Sequence, residues 1–156
     1  MSRFSVLYDA NILYPATLRD SFLRLALSGL FQAYWTKDIN DEWITALLRN
    51  EGDKFTREQL EFVRGLMNRH VPHAIITGYT HLIAGLHLPD RDDRHVLAAA
   101  IKQGVDAIVT FNLKDFPASE VGKYDIESSI PTISFLHSLS YPPQKYVRYS
   151  KSNVKV

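Results

Sequence analysis

Short apolar segments alternate along this chain with segments whose apolar residues recur at helical spacing. Four apolar segments predict strands, at residues 4–8, 31–36, 73–79 and 106–111, and the first and last of these are predicted to be buried. Helical spacing predicts helices between them, one ending at Leu27 before Ser28-Gly29 and others over residues 39–51, 57–69 and 91–103. Strands that alternate with helices in this way form parallel sheets covered on both faces, so we expect an α/β fold.

Three helix ends carry recognisable end signals. Asp38 is predicted to cap the helix over residues 39–51. Thr56 and Gln59 have the spacing of a capping box at the start of the next helix. Gly104 is predicted to end the helix that begins near Arg91.

The composition is typical of a single globular domain in a reducing compartment. The chain has 156 residues, 46% of them hydrophobic and 22% charged, and it contains no cysteine. Disulfide and thiolate chemistry are therefore excluded. An acid interrupts the apolar N-terminal stretch, and no apolar run approaches the ~20 residues that span a bilayer. We expect a soluble, cytoplasmic protein without a membrane partner.

The net charge of +1 is unevenly distributed. Residues 145–156 carry four basic side chains and no acid, which leaves 14 basic residues against 17 acidic ones, about −3, in the rest of the chain. An acidic body suits a cation site better than it suits nonspecific binding of nucleic acid.

Four acids stand where a parallel sheet would gather ligands. Asp9 follows the first strand, Asp115 follows the strand at 106–111, and Glu42 and Asp93 lie near the starts of two helices. Ligands of such sheets bind beyond the carboxyl ends of the strands. Carboxylates suit Mg²⁺ or Mn²⁺, which can polarise a phosphoryl oxygen and lower the pKa of a bound water.

The same acids have ordinary structural interpretations. An aspartate after a strand is commonly a turn or helix cap, and Asp90, Asp92 and Asp93 together favour a helix N-terminus. Glu42 alone could be a surface charge. The spacing by itself leaves both the metal site and these caps open.

Three segments together resemble the PIN-domain family, most closely its VapC-like bacterial toxins. They are VLYDANIL (6–13), DEW (41–43) and DDRHVLAAAIKQGVDAIVTFNLKDFP (92–117), and the resemblance covers roughly residues 4–127. It implies a PIN-like catalytic domain over residues 1–127, built as a three-layer α/β/α sandwich with a central, mainly parallel sheet. It also implies a metal-dependent ribonuclease that uses Mg²⁺, or Mn²⁺ in its place.

Carried over residue by residue, the resemblance implies a catalytic, metal-binding set of Asp9, Glu42, Asp93 and Asp115. Asp115 is the weakest match, because Asn112 stands where relatives carry an acid. Asn11, Arg94, Thr110 and Asn112 are the predicted substrate contacts. Arg91, Arg94 and Lys114 could equally be surface charges, Asn11 could simply cap the first helix, and His95 could be a structural residue.

The implied activity is cleavage of RNA to 5′-phosphate and 3′-hydroxyl ends by the toxin of a type II toxin–antitoxin pair. A cognate antitoxin and a homodimer are the expected protein partners. One alternative is a catalytically impaired PIN fold that only binds RNA or a protein. A phosphatase with Asp9 as nucleophile is disfavoured, because DANIL lacks a second aspartate two residues on.

Residues 128–156 depart from the family and are predicted to form an atypical tail. Relatives commonly continue with a segment like HPDDFLL after an Ile-Glu pair, whereas this chain reads IESSIPTISFLH. The string CATCCCGACGATTTCCTTCTTGCAC encodes HPDDFLLA in one frame and IPTISFLH, identical to residues 130–137, in the next. We therefore expect a frameshift near Ser128, with a divergent natural C-terminus as the alternative.

Overall fold

The computed structural model describes residues 3–132, in which four strands form one parallel sheet flanked by helices. The strands are β1 (Ser5–Tyr8), β2 (Gln32–Tyr34), β3 (Ala107–Val109) and β4 (Glu127–Ser129). The helices are α1 (Ala10–Leu13), α2 (Ala16–Leu27), α3 (Lys37–Glu51), α4 (Arg57–His70), α5 (Arg94–Gln103) and α6 (Ala118–Val121). The predicted α/β/α sandwich with a parallel sheet is confirmed.

The order of the strands places a crevice between β1 and β3. The sheet runs β2-β1-β3-β4, so the chain leaves β1 on one side to form β2 and returns to the other side to form β3. In open parallel sheets, ligands bind where the strand order reverses, beyond the carboxyl ends of the strands. Asp9 and Thr110, which directly follow β1 and β3, therefore lie at this reversal point.

The central strands are apolar on both faces because helices cover both. Every residue of β1 and β3 is buried. Tyr8 at the end of β1 stacks on Trp35 with 6.3 Å between ring centroids and meets Phe22 edge-on at 5.0 Å. Its hydroxyl donates to the Phe22 carbonyl at 3.1 Å, and burial raises the pKa of Tyr8 well above its ordinary value. The core thus keeps a neutral phenol that is fully paired.

Helix α3 begins two residues earlier than its sequence suggests. Thr36 has extended backbone angles, and its hydroxyl accepts from the Ile39 N–H at 2.9 Å, so Thr36 is the cap. The prediction that Asp38 caps this helix is wrong, because its carboxylate instead accepts from the Tyr79 hydroxyl at 2.5 Å. Glu42 consequently lies in the second turn of α3.

The other two end signals are confirmed. Thr56 and Gln59 form the predicted capping box at the start of α4. Gly104 ends α5 in the left-handed conformation, with φ of +72°. The apolar run Val96–Ala100 is buried and seats α5 against the core. Among the helices of residues 3–132, none combines the length and apolarity needed to cross a membrane.

The prediction of a strand over residues 73–79 is wrong. Pro72–Ala74 instead form a 3₁₀ turn, and the segment touches the sheet through one isolated bridge between Trp35 and Ile75. Proline at one end lacks a backbone donor, and Gly78 at the other has φ of +73°. β-Branched residues alone do not form a strand when the backbone at both ends of the segment turns away from the sheet.

The helix predicted from Arg91 begins at Arg94. Residues Arg91–Asp93 form a 3₁₀ turn, because the Asp90 carboxylate accepts from the Asp92 N–H at 2.8 Å and caps that turn. Asp93 therefore stands immediately before α5 rather than in its first turn. Its side chain makes no capping bond, which leaves its carboxyl free for the crevice.

Strand β4 was not expected from the sequence. It pairs in parallel with β3, and the Ser128 hydroxyl donates to the Phe116 carbonyl at 2.9 Å. The predicted tail of residues 128–156 thus starts with two residues of the sheet. Residues 133–156 lie outside the described part of the chain, so the frameshift and the domain boundary at 127 stay predictions.

Candidate active site

A cleft of about 630 Å³ opens at the carboxyl edge of the sheet. Five of the predicted site residues line it: Asp9, Asn11, Glu42, Asp93 and Asn112. They come from four separate segments, namely the ends of β1 and β3, the second turn of α3 and the residue before α5. The fold therefore brings distant parts of the sequence together in one cleft.

Asp9 is the most firmly held of these carboxylates. Its Oδ1 accepts from the Ala10 N–H at 2.7 Å, and its Oδ2 accepts from the Thr110 hydroxyl at 2.9 Å. Burial raises the pKa of Asp9, and these two hydrogen bonds oppose that increase. The carboxylate is thus fixed at the end of β1 by donors from α1 and from the end of β3.

Thr110 and Asn11 form the support behind Asp9. Thr110 is completely buried, and its oxygen also accepts from the Asn11 side-chain amide at 3.1 Å and from the Asn112 N–H at 3.1 Å. The side-chain oxygen Oδ1 of Asn11 accepts from the Phe111 N–H at 3.2 Å. Asp9, not Asn11, caps α1, so the capping alternative for Asn11 is wrong. Asn11 lines the cleft, whereas Thr110 lies beneath it.

Glu42 and His95 join α3 to α5 across the cleft. The Glu42 carboxylate contacts His95 Nε2, with the histidine side chain 14% exposed and the glutamate 44% exposed. Burial lowers the pKa of His95, but the hydrogen bond and charge of Glu42 outweigh it and leave the pKa above its ordinary value. His95 is therefore a donor that orients Glu42. Its buried Nδ1 has no partner within residues 3–132.

Asp93 experiences the strongest electrostatic crowding in the cleft. Burial first, and then the charges of four neighbouring carboxylates, together raise its pKa to about 7; these carboxylates are Asp9, Asp90, Asp115 and Glu42. Near neutral pH, Asp93 is therefore close to half-protonated. Such a concentration of negative charge is what a bound cation would neutralise.

The remaining predicted residues lie at the margin. Asp115 ends a 3₁₀ turn, Leu113–Asp115, and does not line the cleft, although its charge reaches Asp93. Arg94 donates from Nε to the Arg91 carbonyl at 3.2 Å and likewise does not line the cleft. These placements set Asp115 and Arg94 apart from the five lining residues.

Eight residues that line the cleft were not predicted as site residues, among them Tyr14, Asp41, Arg49 and Asn50. Arg49 follows Glu42 by seven residues, which is two helical turns and the same face of α3. That spacing was available as a signal. Charged residues are common on exposed helical positions, however, so the spacing alone did not single out Arg49.

The donor set suits a hard divalent cation, because every acidic group in the cleft offers carboxylate oxygens. Across residues 3–132, no three acidic or imidazole side chains lie close enough, as placed, to hold an ion together. Glu42 in particular is turned toward His95. Side-chain rotation of Glu42 and Asp93 would have to accompany binding.

Comparison with known proteins bears on the same region. A family model described as PIN domain matches residues 5–114. A protein of Mycobacterium tuberculosis (strain ATCC 25618 / H37Rv), named "Putative ribonuclease VapC50", is 41% identical over 66 residues. That alignment covers 42% of this chain and 38% of the relative. The family match includes Asp9, Glu42 and Asp93 and stops one residue before Asp115.

Proposed function

Because the chain belongs to the PIN-domain family, we propose that it is a metal-dependent endoribonuclease. Asp9, Glu42 and Asp93 are its principal carboxylates, with Asp115 contributing charge from the margin of the cleft. One observation carries the proposal: at the reversal point of a parallel sheet, burial and then the charges of four acids raise the pKa of Asp93. Crowded carboxylates of this kind are costly unless a cation binds between them.

The residues of the cleft divide the work of such a site. Asp9 is held in place by Thr110 and the Ala10 N–H, so its orientation does not depend on a ligand. His95 donates to Glu42 and holds that carboxylate at the rim, from where it would turn into the cleft to bind an ion. Asp93 must release its proton before it can act as an anionic ligand. When bound, Mg²⁺ or Mn²⁺ would neutralise the scissile phosphate and lower the pKa of a coordinated water.

The wider setting follows from the family resemblance. We propose an RNA substrate, a role as the toxin of a type II toxin–antitoxin pair in the cytoplasm, and a cognate antitoxin as protein partner. The similarity to the mycobacterial relative supports the ribonuclease and VapC parts of this proposal. Asn11 and Asn112 line the cleft and are the proposed polar contacts to the RNA, and a homodimer would lengthen the groove.

The test is cleavage of structured and single-stranded RNAs with Mg²⁺ or Mn²⁺, with the new ends analysed for 5′-phosphate. Wild type should cleave, whereas Asp9→Asn and Asp93→Asn should lose at least a hundredfold in rate. Asp20→Asn is the matched control, because Asp20 lies on the surface of α2 and pairs with Arg24 at 3.0 Å. Cleavage that survives both site substitutions, or EDTA, would contradict the assignment.

The second candidate is a PIN fold that binds RNA or protein without cutting. The absence of a ready three-ligand group in the described residues favours it. It predicts no cleavage of any RNA and no shift of the melting temperature with millimolar Mn²⁺. A Mn²⁺-dependent shift that Asp93→Asn reduces would count against this candidate even before an RNA target is found.

A further inference from the structure

The cleft has a cationic end opposite its carboxylates. Arg49 is exposed and lines the same cleft as Glu42, from the same face of α3. Seven residues of helix separate their Cα atoms by about 10 Å along the axis. Cα–Cβ bonds in a helix tilt toward its N-terminus, so the side chain of Arg49 leaves the backbone on the side toward Glu42.

The acids around Arg49 already have partners. On α3 itself, Asp41 pairs with Lys37 at 2.9 Å and with Arg64 at 2.6 Å. Glu42 contacts His95, and Glu51 pairs with Lys54 at 3.3 Å. Arg49 forms no ion pair or side-chain hydrogen bond in the described part of the chain. The cleft therefore contains an arginine whose charge is available to a ligand.

Neutral polar groups complete this end of the cleft. The Asn50 side-chain amide donates to the Tyr14 hydroxyl at 3.2 Å, and that hydroxyl donates to Glu51 at 3.4 Å. Tyr14 and Asn50 both line the cleft beside Arg49. Their mutual hydrogen bond fixes the wall against which a ligand of Arg49 would rest.

We propose that Arg49 binds a backbone phosphate flanking the scissile one, so that the RNA strand runs along α3. Guanidinium forks match the geometry of phosphate oxygens and bind them through paired hydrogen bonds. The separation from Glu42 corresponds to about three nucleotide steps in a stacked strand and fewer in an extended one. This subsite rests on the proposed function, because it takes the carboxylates as the place of cleavage.

A consequence concerns the shortest substrate. An RNA that ends before the flanking phosphate reaches Arg49 loses this contact while keeping the scissile bond. Short oligonucleotides should therefore be cut less efficiently than ones extended by two or three nucleotides on the α3 side, and Arg49→Ala should remove that advantage.

Binding is measured by fluorescence anisotropy of labelled single-stranded RNA, in the Asp9→Asn background with Mg²⁺, so that cleavage does not interfere. Arg49→Ala should weaken binding about fivefold to tenfold at low salt and reduce the slope of log K against log salt by about 0.7. Arg49→Lys should keep the slope and lose part of the affinity. Arg69→Ala is the matched control, since Arg69 is exposed on α4, unpaired within residues 3–132 and absent from this cleft.

A phosphate scan then locates the contact. Methylphosphonate linkages remove one charge at a time, and one linkage within about three nucleotides of the cleavage site, on the α3 side, should weaken binding to the parent protein. In Arg49→Ala that linkage should have no further effect, whereas Arg69→Ala should remain sensitive to it. An identical scan for Arg49→Ala and its parent, or no RNA binding at all, would overturn the subsite.

The two proposals fail in different ways. RNA cleavage by wild type with equal salt slopes for Arg49→Ala and Arg69→Ala would reject the subsite and keep the nuclease. RNA binding that depends on Arg49, in a protein that cuts no RNA, would reject the nuclease and would leave Arg49 as an RNA contact with no cleavage site beside it.

Discussion

Replacing Asp93 with asparagine should stabilise the ion-free protein at neutral and alkaline pH. In the folded chain the pKa of Asp93 is raised from 3.8 to about 7, first by burial and then by the neighbouring carboxylates. Between these two values the folded protein holds a proton that the unfolded chain releases. The free energy of unfolding therefore falls as pH rises through this window, and asparagine, which does not ionise, escapes the penalty.

The size of the effect follows from the shift and the exposure of the group. A change from 3.8 to about 7 corresponds to about 4 kcal/mol if no screening applies. Asp93 is only half-buried, so solvent and salt screen the repulsion, and we expect about 1–2 kcal/mol at pH 8. The difference should already be small near pH 4 and vanish below pH 3.8, where the wild-type carboxyl is protonated in both states.

Urea unfolding in EDTA at several pH values between 4 and 8 measures this difference directly. Asp53→Asn is the control, because Asp53 is exposed and unpaired in the described chain, and it should change stability by no more than about 0.5 kcal/mol. Adding Mn²⁺ should stabilise wild type more than Asp93→Asn, since a ligand stabilises the state that binds it. If Asp93→Asn is no more stable than wild type at pH 8, or if the difference does not grow with pH, the crowding argument is refuted.

Two further substitutions probe the support of the site and the end of α5. Thr110→Val keeps the shape of a fully buried side chain but removes the hydroxyl that donates to Asp9, so it should cost about 1–3 kcal/mol in urea unfolding and weaken Mn²⁺ binding by calorimetry. Gly104→Ala places a side chain at φ of +72° where an added Cβ meets no atom within 4 Å, so strain alone should cost about 1 kcal/mol, measured by thermal unfolding.

Each of these has an internal comparison. Thr80→Val, at an exposed threonine, should leave Mn²⁺ binding unchanged, and an equal loss in both threonine variants would show that Thr110 has no particular role. Gly65→Ala, in the interior of α4 with no atom within 4 Å, should raise stability by about 0.5–1 kcal/mol. The same sign for both glycine variants would contradict the conformational argument.

The sequence predicts strands β1, β2 and β3 but misses β4, at one edge of the sheet. Continuous apolar runs identified β1 and β3, which helices cover on both faces. Strand β4 has the sequence Glu-Ser-Ser, with no apolar pattern, and exists because β3 offers it a backbone partner. Residues 73–79 show the converse. They contain β-branched residues, but the turns at both ends of the segment leave it only one backbone bridge to the sheet, at Ile75. The local sequence pattern shows how readily a segment can form a strand, whereas pairing in a sheet depends on which other strand lies next to it.

The candidate site shows the same division. Asp9 and Asp93 could be selected from short motifs because each stands beside a recognisable element. The contact between Glu42 and His95 joins residues 53 apart, and no local pattern announces it. Arg49 could not be selected from the sequence for a different reason. It differs from other exposed arginines because it lines the cleft and because the acids near it are already paired. Both facts depend on the folded structure.

The hydrogen bond from Thr110 to Asp9 spans 101 positions of the chain. A polypeptide emerging from the ribosome carries Asp9 early and Glu42 soon after, but Thr110 and the strand that presents it come much later. Such long-range pairings form late and slowly. The site that we propose would therefore be incomplete until Thr110 has been translated and β3 has paired with β1.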